Sequence, residues 1–286
     1  DLWLPESNAP APLVIFIHGG VFCGGNKYHV RSRPIVAEAL QRGVAFAAIT
    51  YRFRPPESGS LDAADRAGIQ DILRDCARAV QFLRYHADEY RLDPNRIACY
   101  GSSAGAGTSL WLAVHDDLAD PASDDPVLRE SSRISAAGVI DGQFTYDIER
   151  WDEFFDGGDV RRTHAGEGRY EPWRFFGLPD KAAYDGPVGR KWRNDVHMLG
   201  MISEDDPPLY VQTNTADEPL TTRRIYNHHP HHAELIAARG REAGVEVECL
   251  LPQVHAGDAR VLNEHPHRML DFFCRQFGVP TGDSPP

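Results

Sequence analysis

Leu13-Val-Ile-Phe-Ile17 is the stretch that most constrains what this chain can become. It is apolar at five successive positions and bounded by Pro12 and by His18-Gly19-Gly20. A strand with one wet face alternates apolar and polar residues, whereas a strand apolar at every position has to be covered on both faces. Such strands occur in parallel sheets layered between helices, and the rest of the chain supplies the other parts. Further buried strands are predicted at 44–50, 96–100, 135–140, 208–212 and 245–251. Helices are predicted at about 30–41, 62–90, 103–114, 233–243 and 259–277. In the second of these, Ile69, Ile72, Leu73, Cys76, Val80 and Leu83 recur at helical spacing. Strand and helix alternate along most of the sequence, which predicts an α/β fold with a mostly parallel sheet and helices on both faces, as a single domain over 1–286. Residues 281–286 read as a frayed tail.

At 286 residues, 42% of them hydrophobic, one large core can form without disulfides or structural metal. No apolar stretch approaches the length of a membrane span. With 30 Lys and Arg against 42 Asp and Glu, the net charge of −12 argues against nucleic acid or an anionic membrane as partner. Cys23, Cys76, Cys99, Cys249 and Cys274 are odd in number and form no CxxC pair, so reduced, mostly buried thiols are expected. The chain opens at Asp1 without methionine, as expected of a trimmed start; any signal peptide, and with it the compartment, is left open, as is the oligomeric state.

One segment breaks the alternation. Residues 142–205 hold 11 aromatics in 64 positions, against 17 in the other 222, and strand signals there are weak. A long insertion of that composition between two sheet elements is expected to be a cap or lid. The other reading is a surface excursion with its own aromatic core.

The chemistry-bearing residues lie at strand ends. Gly101-Ser102-Ser103-Ala104-Gly105 fits G-x-S-x-G, a short motif that chance also produces. Its context raises it, because it follows a predicted strand and opens a predicted helix, as a nucleophile elbow requires. Ser103, flanked by glycine at −2 and +2, is the expected nucleophile in preference to Ser102. The N–H of Ala104 at the helix start is one expected oxyanion donor. His18-Gly19-Gly20-Val21, at the end of the first buried strand, lets the backbone fold under a bound acyl group and aim a second set of N–H groups inward. His18 itself is expected to hold that loop by hydrogen bonding rather than to accept a proton.

A histidine just past the last strand can reach such a serine, and His255 stands there. His265, His267 and the cluster His228-His229-Pro230-His231-His232 compete with it. The cluster lacks Cys or carboxylate partners at ligand spacing, so a loop or pocket wall is expected in preference to a metal site. The acid should follow the penultimate strand, which selects Asp217, with Glu218 and Asp141 as alternatives. Ser103, Asp217 and His255 then fall in the chain order this arrangement imposes.

These stretches, together with Asp1-Leu-Trp-Leu-Pro5 and Arg96-Ile-Ala-Cys-Tyr100, resemble the α/β-hydrolase serine esterases, close to the hormone-sensitive-lipase-like and feruloyl-esterase-like carboxylesterases. The resemblance covers nearly the whole chain except 142–205, which falls where that superfamily inserts its cap. It implies oxyanion donors at Gly20, Val21 and Ala104, with Val21 in place of the usual glycine. A β-branched residue there is expected to keep φ negative and to narrow the acyl side, which favours short acyl groups. Phe22, Ser102, Trp151 and Trp173 are the expected substrate-contacting residues. The implied activity is hydrolysis of small-molecule carboxylic esters through an acyl-enzyme, with no cofactor and no metal. A peptidase or amidase on the same triad, or a non-catalytic member of the fold, are the alternatives.

Overall fold

The computed structural model describes residues 1–7, 9–55, 67–165, 170–251 and 265–281. Seven strands among them form one sheet: β1 (Leu2–Trp3), β2 (Ala11–Ile17), β3 (Ala45–Ile49), β4 (Leu92–Ser102), β5 (Ala136–Ile140), β6 (Leu209–Gln212) and β7 (Val247–Leu250). Their spatial order is β1-β3-β2-β4-β5-β6-β7. Every neighbouring pair is parallel except β1 with β3, where Leu2 faces Ala47 and Trp3 faces Phe46.

The helices are α1 (Pro34–Gln41), α2 (Ile69–Tyr85), α3 (Ala87–Tyr90), α4 (Ala104–Val114), α5 (Val160–His164), α6 (Lys181–Asp185), α7 (Pro187–Asp195), α8 (Met198–Met201), α9 (Arg223–His228), α10 (His231–Glu242) and α11 (His265–Phe277). The long predicted helix over 62–90 is interrupted at His86, and its first residues lie outside the described ones. β4 starts four residues before the predicted 96, because a register shift lets Leu92 pair with Ala11 while Ile97 pairs with Leu13. Asp93, Pro94 and Asn95 sit in that irregularity, where β-unfavourable residues are tolerated.

The period-2 geometry of β2 divides its apolar run between two cores. Leu13, Ile15 and Ile17 join a cluster with Ile72, Leu73, Cys76 and Val80 of α2, Leu110 of α4 and Ile236 of α10. Val14 and Phe16 face the other way, toward Ile35 and Val36 of α1 and Leu270, Phe272 and Phe273 of α11. Burial is complete on both sides, with Leu13, Val14, Ile15 and Ile17 at 0% exposure. Cys76, Cys99 and Cys274 are buried, Cys23 and Cys249 half-buried, and all five are free thiols.

The elbow helix α4 is buried at all eleven residues, as suits a helix apolar around its whole circumference. It lies so close to β2 that a Cβ at Gly105 would stand 2.0 Å from the Ile17 carbonyl oxygen, and one at Gly101 2.4 Å from the same atom. Glycine is required at both places by contact with backbone, which cannot swing aside.

Between β5 and β6 the chain makes its long excursion. Short helical turns at Ile148–Glu153 and Pro172–Phe176 accompany α5 to α8, and no strand forms among its described residues. The excursion closes on itself, with Tyr146 N–H donating to the Val196 carbonyl and Leu199 N–H to that of Phe144. Trp111 of α4 ties it to the body by donating from Nε1 to the Asp195 carbonyl at 2.7 Å. No helix among the described residues is long and apolar enough to cross a membrane.

Replacing Gly105 by alanine should cost about 3 kcal/mol or more, since α4 must separate from β2 to admit the methyl group. The fall in urea midpoint, measured beside Gly24→Ala as a control glycine with no positive φ and no atom within 4 Å of its added Cβ, checks the contact.

Candidate active site

β4 delivers the chain to the carboxyl edge of the sheet, and α4 carries it away. The turn between them is Ser103, at φ 55° and ψ −119°. A residue with a Cβ holds such a backbone only under constraint, at a cost of about 1–3 kcal/mol. The constraint is visible: Ser103 N–H donates to the Ile140 carbonyl at 3.0 Å, and its own carbonyl accepts from Ala106 and Gly107. Ala104 follows as the first residue of α4, where N–H groups have no partner within the helix.

The His18–Phe22 segment presses on this turn from the end of β2. A Cβ at Gly19 would meet the Ser102 carbonyl oxygen at 2.7 Å. Cys23 N–H closes a turn on the Gly20 carbonyl at 3.0 Å. Gly20, Val21 and Phe22 all have positive φ, at 121°, 54° and 62°. This corrects the expectation for Val21, whose β-branch does not keep φ negative here. The surrounding contacts over-determine the loop, and the side chain is left 45% exposed.

His18 is buried beneath the loop, with Nδ1–H donating to the Gly19 carbonyl at 2.9 Å. Its ring stacks on Tyr51 at 4.2 Å, and the Tyr51 hydroxyl donates to the His18 carbonyl. Burial pushes the His18 pKa down, so the ring is neutral and holds the loop.

A cavity of about 710 Å³ opens at Ser103 and Ala104. Val21, Phe22, Tyr146, Ile148, Trp151, Phe175 and Phe176 form its apolar lining, and Gln143, His164, Asn227, Arg54 and Arg223 are among its polar groups. Phe22 and Trp151 were expected there. Trp173 instead packs half-buried against the core, and Ser102 is exposed at the end of β4 rather than in the cavity wall. Tyr146 stands directly beside the elbow: its hydroxyl donates to the Ala104 carbonyl at 2.6 Å, and its ring meets Phe22 edge-on at 5.2 Å.

The imidazole that the described residues bring to the serine is His228, at the end of α9. Its Nε2 lies 3.5 Å from Ser103 Oγ, and its Nδ1–H donates to the Asp141 carbonyl at 3.0 Å. The sequence placed His228 in a cluster competing with His255 and expected to form a loop or pocket wall, since nothing in its spacing shows that α9 folds back over the elbow. The Asp141 carboxylate is occupied elsewhere, accepting from Thr213 Oγ1, Asn214 N–H and Asn214 Nδ2 and so joining the ends of β5 and β6.

Asp217 follows β6 as expected, and its Oδ1 lies 2.9 Å from His229 Nε2, with the carboxylate largely exposed. His255 lies outside the described residues, as do the side chains of His265 and His267. Among the described residues no group of three His, Cys, Asp or Glu side chains is placed to hold a metal ion.

The fold and the elbow together define an α/β-hydrolase. Residues 1–167 match the BD-FAE family model, and the chain belongs to that family. Relatives include a probable isoprenylcysteine alpha-carbonyl methylesterase of Arabidopsis thaliana, 30% identical over 145 residues that make up 50% of this chain and 28% of that protein. A probable carboxylic ester hydrolase of Mycobacterium tuberculosis is 29% identical over 146 residues, 49% of this chain and 31% of that protein. The chain thus spans less than a third of the length of these relatives. A thermophilic esterase of Thermogutta terrifontis, solved with butyrate bound, superposes with a TM-score of 0.67 at 18% identity, covering 99% of this chain and 90% of that one. An acetyl ester-xyloside bifunctional hydrolase of Caldicellulosiruptor lactoaceticus superposes with a TM-score of 0.65 at 21% identity, over 97% and 87% of the two chains.

Two outcomes follow from this geometry. Ser103→Gly should raise the unfolding free energy by about 1 kcal/mol, because glycine adopts the elbow backbone without strain; urea unfolding of both proteins measures it. His232, fully buried with Nε2–H donating to the Tyr226 carbonyl, is pushed down to about 3 by burial, with the imidazoles of His228, His229 and His231 adding to it. The unfolded chain takes up this proton near 6.5 and the folded one does not, so the stability it confers is whole above 6.5 and is lost as pH falls toward 3. His18 and His197, also lowered by burial, act with the same sign. In His232→Gln the fall in stability between pH 6.5 and 4.5 should be shallower, by up to about 1.4 kcal/mol per pH unit.

Proposed function

We propose that this protein is a serine carboxylic ester hydrolase that works through an acyl-enzyme. The observation that carries the reading is the strained Ser103 turn, set against the left-handed Gly20–Phe22 loop at the mouth of a cavity lined by both aromatic and charged side chains. Ser103 Oγ attacks the ester carbonyl and its proton passes to an imidazole. The oxyanion is received by N–H groups of Ala104, Gly20 and Val21. The imidazolium returns the proton to the leaving alcohol, and water then releases the acid. The esterase names of the relatives and of the superposed structures accord with this chemistry.

His255 is the proposed base and Asp217 its orienting acid. β6 and β7 run parallel and adjacent, so loops after both leave the sheet at the edge where Ser103 stands. A specific observation favours a second reading, in which His228 is the base. Its Nδ1–H is fixed by a backbone carbonyl, which leaves Nε2 to accept the serine proton.

Residues 142–205 are proposed to act as the cap, since Tyr146, Trp151, Phe175 and Phe176 of that segment line the cavity. Short acyl groups are proposed to sit on the Ala104 side, where Tyr146 and Phe22 close the space, with the alcohol half in the wider part.

Turnover of p-nitrophenyl acetate and labelling by a fluorophosphonate test the reading. Ser103→Ala should abolish both. His255→Gln should lower kcat by about 10⁴-fold and His228→Gln by no more than about tenfold; the reverse pattern makes His228 the base. Activity should rise with pH through one ionisation in the imidazole range. Acetyl to butyryl esters should be turned over faster than decanoyl ones, and aminoacyl anilides should not be turned over.

A further inference from the structure

We propose that Arg54 is a positioning residue for the oxyanion loop, holding Val21 and Phe22 in the backbone that aims the Gly20 and Val21 N–H groups at the ester carbonyl. The inference rests on the proposed role of Ser103 and deepens it.

The loop is a turn closed by Cys23 N–H on the Gly20 carbonyl, with both central residues, Val21 and Phe22, at positive φ. Turns of that kind ordinarily carry Asn, Asp or Gly at the centre. A Val-Phe pair favours a turn of the opposite hand, reached by rotating the peptide planes on either side of Val21. Such a rotation swings the Val21 N–H away from the site. Something outside the turn therefore has to select its hand.

Arg54 makes the contacts that do so. Its Nε–H donates to the Val21 carbonyl at 3.2 Å, and its backbone N–H donates to the Phe22 carbonyl at 2.9 Å. One residue thus holds two successive carbonyls, and each carbonyl direction sets ψ of its own residue. Arg54 is 4% exposed, and its guanidinium lies 5.3 Å from the centre of the Phe175 ring, which in turn meets Phe22 edge-on. Tyr51, three residues earlier, holds the His18 carbonyl at the start of the same loop. The segment after β3 therefore grips the loop at both ends. The backbone contact to Phe22 survives any substitution at 54, whereas the contact to Val21 needs a planar side-chain N–H at that depth.

The test is a double-mutant cycle of Arg54→Ala with Val21→Gly, read on p-nitrophenyl acetate and on the rate of Ser103 phosphonylation. Arg54→Ala should lower kcat by about 10²-fold with KM changed less than about threefold, and slow phosphonylation in parallel. Added guanidinium ion should restore part of the rate. With Val21→Gly present, the same change should cost no more than about tenfold, because glycine takes positive φ without help. Arg54→Met, which keeps bulk at the site but carries no side-chain N–H, should repeat the kcat loss at an unchanged Tm; the same comparison applies should the alanine variant not fold. The proposal is overturned by a kcat within threefold of the parent, by a loss confined to KM, or by an equal loss in the Val21→Gly background. Turnover surviving Ser103→Ala would instead overturn the reading of the site on which it rests.

Discussion

The Ile17 carbonyl oxygen is the point on which the rest of the molecule turns. It stands at the carboxyl end of β2, and the glycines before and after the elbow both come against it, Gly101 and Gly105. With side chains there, α4 would ride higher over the sheet and Ser103 could not be folded into its tight turn. The same closeness puts His18 and Gly19 under the turn, so the His18–Phe22 loop and the Ser103 turn are positioned by one shared contact. A backbone carbonyl cannot relax as a side chain can, which makes this junction a stiff reference for the site.

Around that junction the loops beyond the sheet edge supply what the sheet cannot. The excursion between β5 and β6 brings Tyr146 against Ala104 and sets aromatic rings along the cavity, while Asp147, buried completely, gathers Arg150, Arg193 and Tyr184 within the excursion. Buried carboxylates paired in this way contribute little net stability, whereas removing one partner leaves an uncompensated buried charge. The cavity wall thereby has its own polar centre, separate from the body's two apolar cores.

Several histidines crowd this edge, and their surroundings separate their roles. His18 and His232 are buried and neutral, each donating to a backbone carbonyl. His229 meets an exposed carboxylate, that of Asp217. His228 combines a donor contact to a carbonyl with an Nε2 turned toward the serine hydroxyl. Four imidazoles in one cluster, counting His231, are indistinguishable by spacing alone, and only their hydrogen-bond partners assign them.

The local sequence was sufficient for the layered α/β fold and for the elbow at Ser103. Both follow from short-range rules: apolar runs of strand length need two covered faces, and G-x-S-x-G between strand and helix needs its glycines where backbones touch. The antiparallel edge strand at Leu2–Trp3 was too short to carry a pattern, and the early start of β4 was hidden by Asp93 and Pro94. What the tertiary structure alone decided is how segments far apart in the chain meet. It placed His228 of α9 at Ser103, kept Trp173 and Ser102 out of the cavity wall, and held Val21 at positive φ against its own preference. A residue's intrinsic backbone preference is worth about 1–2 kcal/mol, and hydrogen bonds from a distant segment can outweigh it, as Arg54 does from beyond β3. Such contacts leave no period and no motif in the sequence, because they depend on where a different strand ends.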